Sequence, residues 1–333
     1  MDGFINLLKP AGMTSHDAVY ALRRILSIRK VGHTGTLDPM AAGVLSMCVG
    51  SATRAAEYIE SEKKRYRCEM VLGLSTDTGD IWGKIESTSS GMAGRSVEKI
   101  PPEMVKEAVL SMTGPQSQLP PMYSAVRKNG RHLYEYARNG ESVEIEPRDI
   151  FIYDIRPVSV FHRPGRVIFD VECSKGTYIR TLCTDIGEKL GCGAAMSFLV
   201  RTASGNLDIR DSVRLENLAA RVAGQLGISV SQLMAEKRKE IPELDLTGCM
   251  VPIEERLSHF GLVRPGDMEL KKYMNGGRLS PAGLIKEKEN SLGEGSKFNS
   301  CYCVCSRDGR FAGTAVYDSE NDSYKADKVF FKW

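Results

Sequence analysis

The sequence predicts an α+β fold followed by a small, mostly β C-terminal domain. Period-two strand patterns and amphipathic helix patterns mix along the chain without a regular strand–helix–strand repeat, which favours α+β over a parallel α/β sheet. After about residue 235 the sequence pattern changes to short strand-like runs separated by turns. We therefore expect one domain at 1–235 and a second at 242–333, with a stretch rich in Pro, Gly, Arg and Tyr at 115–149.

Two helices are marked by their ends. Thr14 or Ser15 can cap a first helix, and Asp17 lies in its first turn, where the helix dipole favours a carboxylate. Apolar residues at helical spacing over 179–190 predict a second helix, which Gly191 ends. Shorter helices are predicted from Pro102 to about Gly114 and from Leu133 to Arg138.

Alternating apolar positions predict two half-buried strands, at 66–72 and 167–173. Tyr66 belongs to the apolar face of the first strand. Residues 31–45 are rich in Gly, Thr and Pro and predict a long ordered loop. The polar run 286–297 also predicts a loop.

The composition is that of an ordinary globular protein. The 333 residues are 42% hydrophobic and 26% charged, which excludes disordered and collagen-like classes. Because 45 basic and 42 acidic residues give a net charge of only +3, the total argues against a nucleic-acid-binding protein. The distribution reverses that inference, since 18–37, 63–68 and 108–134 contain cations and no acid, whereas 17 basic and 17 acidic residues balance after residue 214. We expect one basic face around a functional pocket.

The cysteines and the apolar runs favour a cytoplasmic protein without membrane contact. The chain has no run of 18 apolar residues and no signal-peptide pattern. Nine cysteines, an odd number without scaffold spacing, are typical of reduced thiols. Cys301, Cys303 and Cys305 would project from one face of a strand, and their spacing differs from that of zinc knuckles. We expect them to be small buried apolar residues rather than metal ligands.

The most unusual segment is 32–43, a loop rich in Gly and Thr that carries Asp38 and Pro39. Pro39 restricts Asp38 to extended backbone angles, so the carboxylate is held rather than free. On the residues alone, Asp38 is either a catalytic carboxylate or an aspartate that caps or forms an Asx-turn. His33 resembles the first His of the H-x-G-H motif of nucleotidyl transferases, but Thr36 stands in place of the second His.

Several motifs, in order along the chain, resemble the TruB family of bacterial tRNA pseudouridine-55 synthases. The matching segments are 6–15, 32–43, 64–66, 72–73, 76–80, 121–125, 133–138, 173–180 and 191–194. The resemblance implies a pseudouridine synthase catalytic domain with a central mixed, mainly antiparallel sheet. It implies that the 115–149 stretch is an insertion that grips RNA, and that 242–333 is a PUA-like RNA-binding domain.

The resemblance also implies a reaction, the isomerisation of uridine 55 in the tRNA T-loop after the base is flipped out of the stack. The bond from uracil N1 to ribose C1′ breaks and C5 bonds to C1′, which conserves all atoms and implies no cofactor and no metal. Asp38 matches the family's essential aspartate and would attack C1′, add to the ring or remove a sugar proton, three routes that the sequence leaves open. Arg180 matches the arginine that would keep this carboxylate ionised and oriented.

Three further residues match the pocket of the family. Tyr66 matches the tyrosine that stacks on the target base and relays the C5 proton, and a core tyrosine is the alternative. Tyr178 would form the floor of the pocket, and Leu199 matches an apolar pocket residue. Val200 stands where the family more often has Arg, which leaves the local charge open.

Two residues are implied to handle the RNA. His33 resembles the histidine that fills the stack vacated by the flipped base, with a structural hydrogen bond as the alternative. Lys9 is expected to contact phosphate or to support its own loop, with a solvated lysine as the alternative. The implied partner is the T-arm of tRNA, bound by a monomer without a guide RNA.

Three other functions remain to be compared. A guide-RNA-dependent pseudouridine synthase has related motifs, but guided enzymes leave target gripping to RNA and partner proteins, so the 133–138 segment disfavours it. A non-catalytic RNA-binding or RNA-folding protein is disfavoured by intact Asp38, Tyr66 and Arg180. A nucleotidyl transferase is disfavoured by the missing second His.

Overall fold

Two β-sheets organise the chain in a computed structural model that describes residues 1–59, 63–88, 96–235, 238, 242–292 and 296–331. The strands are β1 (Gly3–Lys9), β2 (Val31–His33), β3 (Ala42–Val49), β4 (Lys64–Leu72), β5 (Leu74–Thr76), β6 (Ile85–Thr88), β7 (Gly114–Gln118), β8 (Arg127–Lys128), β9 (Arg131–His132), β10 (Arg148–Val160), β11 (Arg166–Cys173), β12 (Ala194–Ser204), β13 (Leu207–Asp208), β14 (Met250–Val251), β15 (Gly261–Pro265), β16 (Leu284–Lys288), β17 (Cys301–Cys305), β18 (Phe311–Asp318) and β19 (Ser323–Val329). The helices are α1 (Ser15–Leu26), α2 (Ala56–Ile59), α3 (Pro102–Leu110), α4 (Leu133–Arg138), α5 (Ile179–Leu190), α6 (Leu215–Leu226), α7 (Val230–Ala235), α8 (Ile253–Arg256) and α9 (Asp267–Met274). Among these helices, none combines the length and the apolar composition that crossing a bilayer requires.

The larger sheet has the order β14-β1-β3-β12-β4-β11-β10-β7, with β2 beside β3 and β13 beside β12. Its pairs are antiparallel except that of β3 with β12, which is parallel. The smaller sheet has the order β16-β15-β17-β18-β19 and belongs to the C-terminal part. The predicted α+β class, with a mixed and mainly antiparallel central sheet and a separate, mostly β C-terminal unit, is confirmed.

The two main predicted helices begin and end as expected. Thr14 caps α1 and forms a capping box with Asp17. Gly191 ends α5 in the left-handed conformation, with a φ of 71°. Both helices bury one apolar face in the core of the larger sheet, and α5 packs against its central strands β12 and β4.

Two predicted loops contain strands. One strand of the larger sheet also lies beyond the predicted boundary between the two domains. Residues 31–45 begin in β2, which pairs with residues 47–49 of β3, and end in the first half of β3. The 286–297 run begins in β16, an edge strand whose charged side chains face solvent. β14 lies beyond the expected start of the second domain at 242, yet it pairs with β1 of the larger sheet. Residues 236, 237 and 239–241, between the two expected domains, lie outside the described residues.

The C-x-C-x-C run forms β17, in the middle of the smaller sheet. Cys301, Cys303 and Cys305 are all buried and pack in one apolar cluster with Phe260 and Phe311. In the described ranges no group of side chains is suited to hold a metal ion. The prediction that these cysteines are buried apolar residues is confirmed, and all nine cysteines are free thiols.

Gly43 lies where β3 passes alongside β12. Its φ is +112°, and a Cβ at this position would lie 2.2 Å from the carbonyl oxygen of Arg201. No side chain fits in that space, so the two strands reach this spacing because the residue is glycine. The close approach brings Arg201 against the loop that carries Asp38.

Replacing Gly43 should therefore destabilise the fold more than replacing a glycine that only has a left-handed backbone conformation. We expect Gly43→Ala to lower the free energy of unfolding by about 3 kcal/mol, from backbone strain together with the clash. Gly227→Ala is the matched control, because Gly227 has a φ of +65° but nothing lies within 4 Å of the place that its new methyl group would occupy. Its cost should be about 1 kcal/mol. Urea unfolding of both variants measures the difference, and equal losses would contradict the packing argument.

Candidate active site

Asp38 lies in the 34–41 loop between β2 and β3, and this loop is anchored to α1 and to the hydrophobic core. The hydroxyl of Ser15 accepts a hydrogen bond from the amide of Leu37 (2.9 Å) and donates to the Leu37 carbonyl (3.0 Å). Leu37 itself is buried in the core. The Asp38 carbonyl accepts a hydrogen bond from the Ala41 amide at 3.0 Å. Ser15, an alternative cap in the sequence, thus anchors the loop instead.

The Asp38 carboxylate contacts a buried arginine. Its Oδ2 lies 2.9 Å from Nε of Arg180, although the N–H does not point at it, so the contact is an ion pair rather than a directed hydrogen bond. The Asp38 side chain is 34% exposed and that of Arg180 is 5% exposed. The carboxylate is therefore the solvent-facing end of the pair, and an Asx-turn is not the geometry that this loop adopts.

Arg180 is fixed from two other sides. Its Nη1 donates to the Thr78 carbonyl at 2.9 Å and its Nη2 donates to the Tyr123 carbonyl at 2.8 Å. Asp80 lies behind it, with Oδ2 3.8 Å from Nη1, and is 1% exposed. Burial raises the pKa of Asp80, although the Trp82 amide and the Arg180 charge oppose this. A surface arginine at the start of a helix is therefore excluded.

Five of the residues matched to the family pocket line one cleft of about 470 Å³ together with Arg180. They are Asp38, Tyr66, Tyr178, Leu199 and His33. The buried amide of Gln118 positions Tyr178, because it accepts from the Tyr178 N–H at 2.7 Å and donates to its carbonyl at 3.0 Å. Ser124 and Val126 bring the 115–149 stretch to the same cleft.

Two aromatic side chains of the cleft have pKa values shifted in the direction that favours the neutral ring. Burial raises the pKa of the Tyr66 phenol, although the nearby Arg201 charge opposes the shift. Burial lowers the pKa of His33, and Arg201 adds to that effect. Nδ1 of His33 is buried without a hydrogen-bond partner, so that nitrogen does not make the structural hydrogen bond considered from the sequence. Both rings present neutral faces to the cleft.

Lys9 does not reach the cleft, which corrects its assignment as a substrate-binding residue. The side chain is fully buried, and its ammonium donates to the carbonyls of Pro10 (2.9 Å), Met13 (2.5 Å) and Pro39 (3.4 Å). It therefore ties the 10–13 turn to the residue that follows Asp38. Of the expected roles, loop support is the one that this geometry shows.

Arg201 is the site residue that sequence reasoning missed. It is 2% exposed, and its guanidinium donates to the carbonyls of Val44 (2.7 Å), Gly35 (3.0 Å) and Thr36 (3.3 Å). No carboxylate of the described residues forms an ion pair with it. The resemblance pointed to arginines after Leu199, but only the approach of β3 to β12 shows that one of them holds the Asp38 loop.

The basic windows of the sequence contribute to the cleft only in part. Lys64 of the 63–68 window lines it, together with Arg148 and Lys175 from outside the windows, and Asp38 is the one carboxylate among its described lining residues. Other cations of the 63–68 window are paired with acids of neighbouring strands, as Arg67 is with Asp170 at 2.7 Å. The cations of the 63–68 window other than Lys64 are therefore largely neutralised by acids of the neighbouring strands.

Comparison with known proteins assigns the chain to a class. The family model described as "TruB family pseudouridylate synthase (N terminal domain)" matches residues 23–179, and that described as "tRNA pseudouridylate synthase B C-terminal domain" matches 180–258. Relatives named tRNA pseudouridine synthase B are 42% identical in Alkaliphilus oremlandii, over 88% of both chains, and 39% identical in Clostridioides difficile, over 99% of this chain and 100% of the relative. A third, from Streptococcus pneumoniae, is 50% identical over 68% of this chain and 77% of its own length.

Solved structures share the fold over nearly the whole chain. An H/ACA ribonucleoprotein bound to a substrate RNA containing 2′-deoxyuridine aligns with a TM-score of 0.69 and 23% identity, over 99% of this chain and 85% of its own. A Cbf5–Nop10–Gar1 complex aligns with a TM-score of 0.69 and 25% identity, over 99% and 85%. Fold, matched families and relatives together define a pseudouridine synthase. Within that class, the chain belongs to the TruB family.

Removing Arg201 should impair catalysis beyond its effect on stability. Arg201→Met leaves three carbonyls without their donor, so the Asp38 loop loses its support, and we expect kcat to fall more than about 10-fold. The kcat of Arg201→Lys should lie between those of the wild type and of Arg201→Met, because one ammonium cannot span three carbonyls as a planar guanidinium does. Steady-state kinetics on a pseudouridylation substrate measures the loss.

Arg256→Met is the matched control for Arg201. Arg256 is also fully buried, and it bonds to Asn206 and to the Ser204 carbonyl, away from the cleft. We expect it to lose stability and to keep its kcat at a temperature where both variants are folded. An equal loss of kcat in the two variants would show that Arg201 acts only through overall stability.

The burial of Lys9 should appear in the pH dependence of stability. Burial lowers the pKa of Lys9 to about 8, although Asp38 opposes the shift, whereas an unfolded chain gives about 10.4. Between these values the unfolded state holds more protons, so the Lys9 contribution to stability rises with pH. The free energy of unfolding of the wild type minus that of Lys9→Met should increase by roughly 2 kcal/mol from about pH 8 to about pH 10. A difference that stays flat or falls over this range would contradict the lowered pKa.

Proposed function

We propose that the protein isomerises uridine 55 to pseudouridine in the T-loop of tRNA, as a monomer that needs neither guide RNA nor cofactor. Membership of the TruB family and relatives named tRNA pseudouridine synthase B support the reaction class and the tRNA substrate. Nine free cysteines are compatible with action in the reducing cytoplasm.

The observation that carries the proposal is the Asp38–Arg180 ion pair at the cleft. The proposed cleavage needs a carboxylate held next to the target nucleotide, and a guanidinium 2.9 Å away from Asp38 orients that carboxylate. Because the backbone around Asp38 is hydrogen-bonded from both sides, the carboxylate is held in place before substrate arrives. Such fixed charges lower the reorganisation that the transition state requires.

The other residues of the cleft have roles in this proposal that follow from their surroundings. Tyr66 stacks on the uracil with a neutral phenol, and Tyr178 and Leu199 enclose it, which excludes water from the detached base. His33 fills the stack that the flipped uridine leaves. A cleft of about 470 Å³ is of a size that accommodates a single nucleotide.

A stand-alone enzyme is favoured over a guided one. The 115–149 stretch contributes Tyr123 to the anchoring of Arg180 and Val126 to the lining, so it connects target gripping with the catalytic pair. The relatives at 39–42% identity, matched over 88–100% of their own length, carry names of tRNA enzymes, whereas the H/ACA structures, at 22–25%, support the fold.

Tritium release from a T-arm hairpin labelled at uracil C5 tests the proposal. The purified protein alone should release tritium without added metal or nucleotide, because C5 loses its proton when it bonds to C1′. Asp38→Asn should abolish the release, since an amide cannot act as a nucleophile or base. Asp154→Asn, at an exposed carboxylate paired with Arg156 on β10, is the matched control and should retain full release.

Three results would overturn parts of the proposal. Full release by Asp38→Asn would remove Asp38 from its assigned role. Release only in the presence of a guide RNA would indicate the guided reaction. Absence of release from every tRNA and hairpin would reject the substrate.

A further inference from the structure

Gln118 lies where the 119–147 stretch leaves the larger sheet. It is the last residue of β7, and its partner across the ladder is Arg148, the first residue of β10, so the whole stretch is inserted between these two partners. Gln118 is 3% exposed and does not belong to the described lining of the catalytic cleft. A nucleotide in the cleft therefore does not touch this side chain, and any effect of its amide on the reaction passes through other residues.

Both polar ends of the Gln118 amide bind the backbone of Tyr178. The Tyr178 N–H donates to Oε1 of Gln118 at 2.7 Å, and Nε2 of Gln118 donates to the Tyr178 carbonyl at 3.0 Å. Tyr178 is the N-cap residue of α5, and its own side chain makes no capping hydrogen bond. A side-chain amide offers a donor and an acceptor in one plane, so these two bonds fix the peptides on either side of Tyr178.

The backbone of Tyr178 in turn sets the start of α5, which carries the catalytic arginine. The Tyr178 carbonyl accepts the first hydrogen bond of the helix, from the Leu182 amide at 3.0 Å. Arg180 lies within that turn, and its Nε is 2.9 Å from the Asp38 carboxylate. The amide of Gln118 thus acts on the one backbone segment that carries both the Tyr178 ring and the Arg180 guanidinium.

We propose that Gln118 is a positioning residue of the reaction, whose amide holds the start of α5 so that Tyr178 and Arg180 meet the target nucleotide in one fixed arrangement. The inference rests on the proposed function, because it concerns the chemical step at Asp38. A shift of about 1 Å in a catalytic group can lower a rate by about 100-fold, so the role should appear in kcat. A residue that only stabilises the core would leave the kcat of the folded protein unchanged.

Gln118→Met tests the role by removing both hydrogen bonds while filling a similar volume. We expect kcat to fall by about 10-fold or more, while the Kd of the RNA stays within about threefold, because Gln118 is not part of the cleft lining. Gln116→Met is the matched control, since Gln116 lies on the same strand and its amide donates to the Met112 carbonyl at 3.1 Å rather than to α5. All variants are compared at a temperature where thermal unfolding shows them folded.

Gln118→Glu adds a pH readout that a purely structural role would not give. The neutral acid donates and accepts as the amide does, whereas the carboxylate cannot donate to the Tyr178 carbonyl. Arg148, Arg180 and the start of α5 favour the carboxylate at this position, and burial favours the acid. We expect the kcat of the variant, divided by that of the wild type at the same pH, to fall by roughly 10-fold from about pH 5 to about pH 9.

The same ratio for Gln116→Glu should stay constant over this range. A kcat of Gln118→Met equal to that of the wild type would overturn the proposal, as would a Gln118→Glu ratio that does not fall with pH or that Gln116→Glu matches. The variants are compared on any RNA that the wild type modifies, so an error in the assigned substrate leaves this test intact. Absence of tritium release by the wild type from every RNA would instead reject the proposed function.

Discussion

The structure of the site depends on the burial of one guanidinium, that of Arg180. Burying a charge is costly unless it is paired, so the two carbonyls that accept from Arg180 and the carboxylate next to its Nε are held around the guanidinium. Those partners come from the Thr78 turn, from the 115–149 stretch through Tyr123, and from the loop that carries Asp38. One side chain on α5 thereby brings together three segments that lie far apart in sequence, and the walls of the cleft follow from that convergence.

Two more buried cations donate to backbone carbonyls around Asp38, as Arg180 does. Lys9 and Arg201 are fully or almost fully buried cations that donate to backbone carbonyls on either side of the loop. Their acceptors are carbonyls, so these cations fix the backbone and leave the direct contact with the Asp38 carboxylate to Arg180. Asp38 is consequently a partly exposed carboxylate on a loop whose backbone is already hydrogen-bonded, which is the preorganisation that a catalytic carboxylate needs.

Helix caps and short sequence motifs predicted much of the fold and site, whereas the remaining features depend on packing between segments that are distant in sequence. A capping box at Thr14 and a left-handed Gly191 define their helices within a few residues of sequence, so α1 and α5 were predictable. Asp38 and Arg180 came from ordered motifs. For Lys9 the sequence left phosphate contact and loop support both open, because lysines are usually solvated, and only packing shows that this one is enclosed and supports the loop. Arg201 was missed because its function depends on Gly43, more than 150 residues earlier, which lets β3 approach β12.

The electrostatics of the cleft follow from strand register rather than from composition. In the antiparallel pairing of β4 with β11, Arg67 lies opposite Asp170 and pairs with it, and Arg65 pairs with Asp208 of β13, so the outward cations of β4 meet acids that come more than 100 residues later. A window of sequence cannot show this neutralisation, and it therefore overstates the extent of a basic face. At the cleft the register supplies no such acids, and Asp38 is the one carboxylate among the described lining residues. A net charge of +3 is thus compatible with a strong local field, because the fold cancels charge elsewhere and retains it where RNA phosphates would bind.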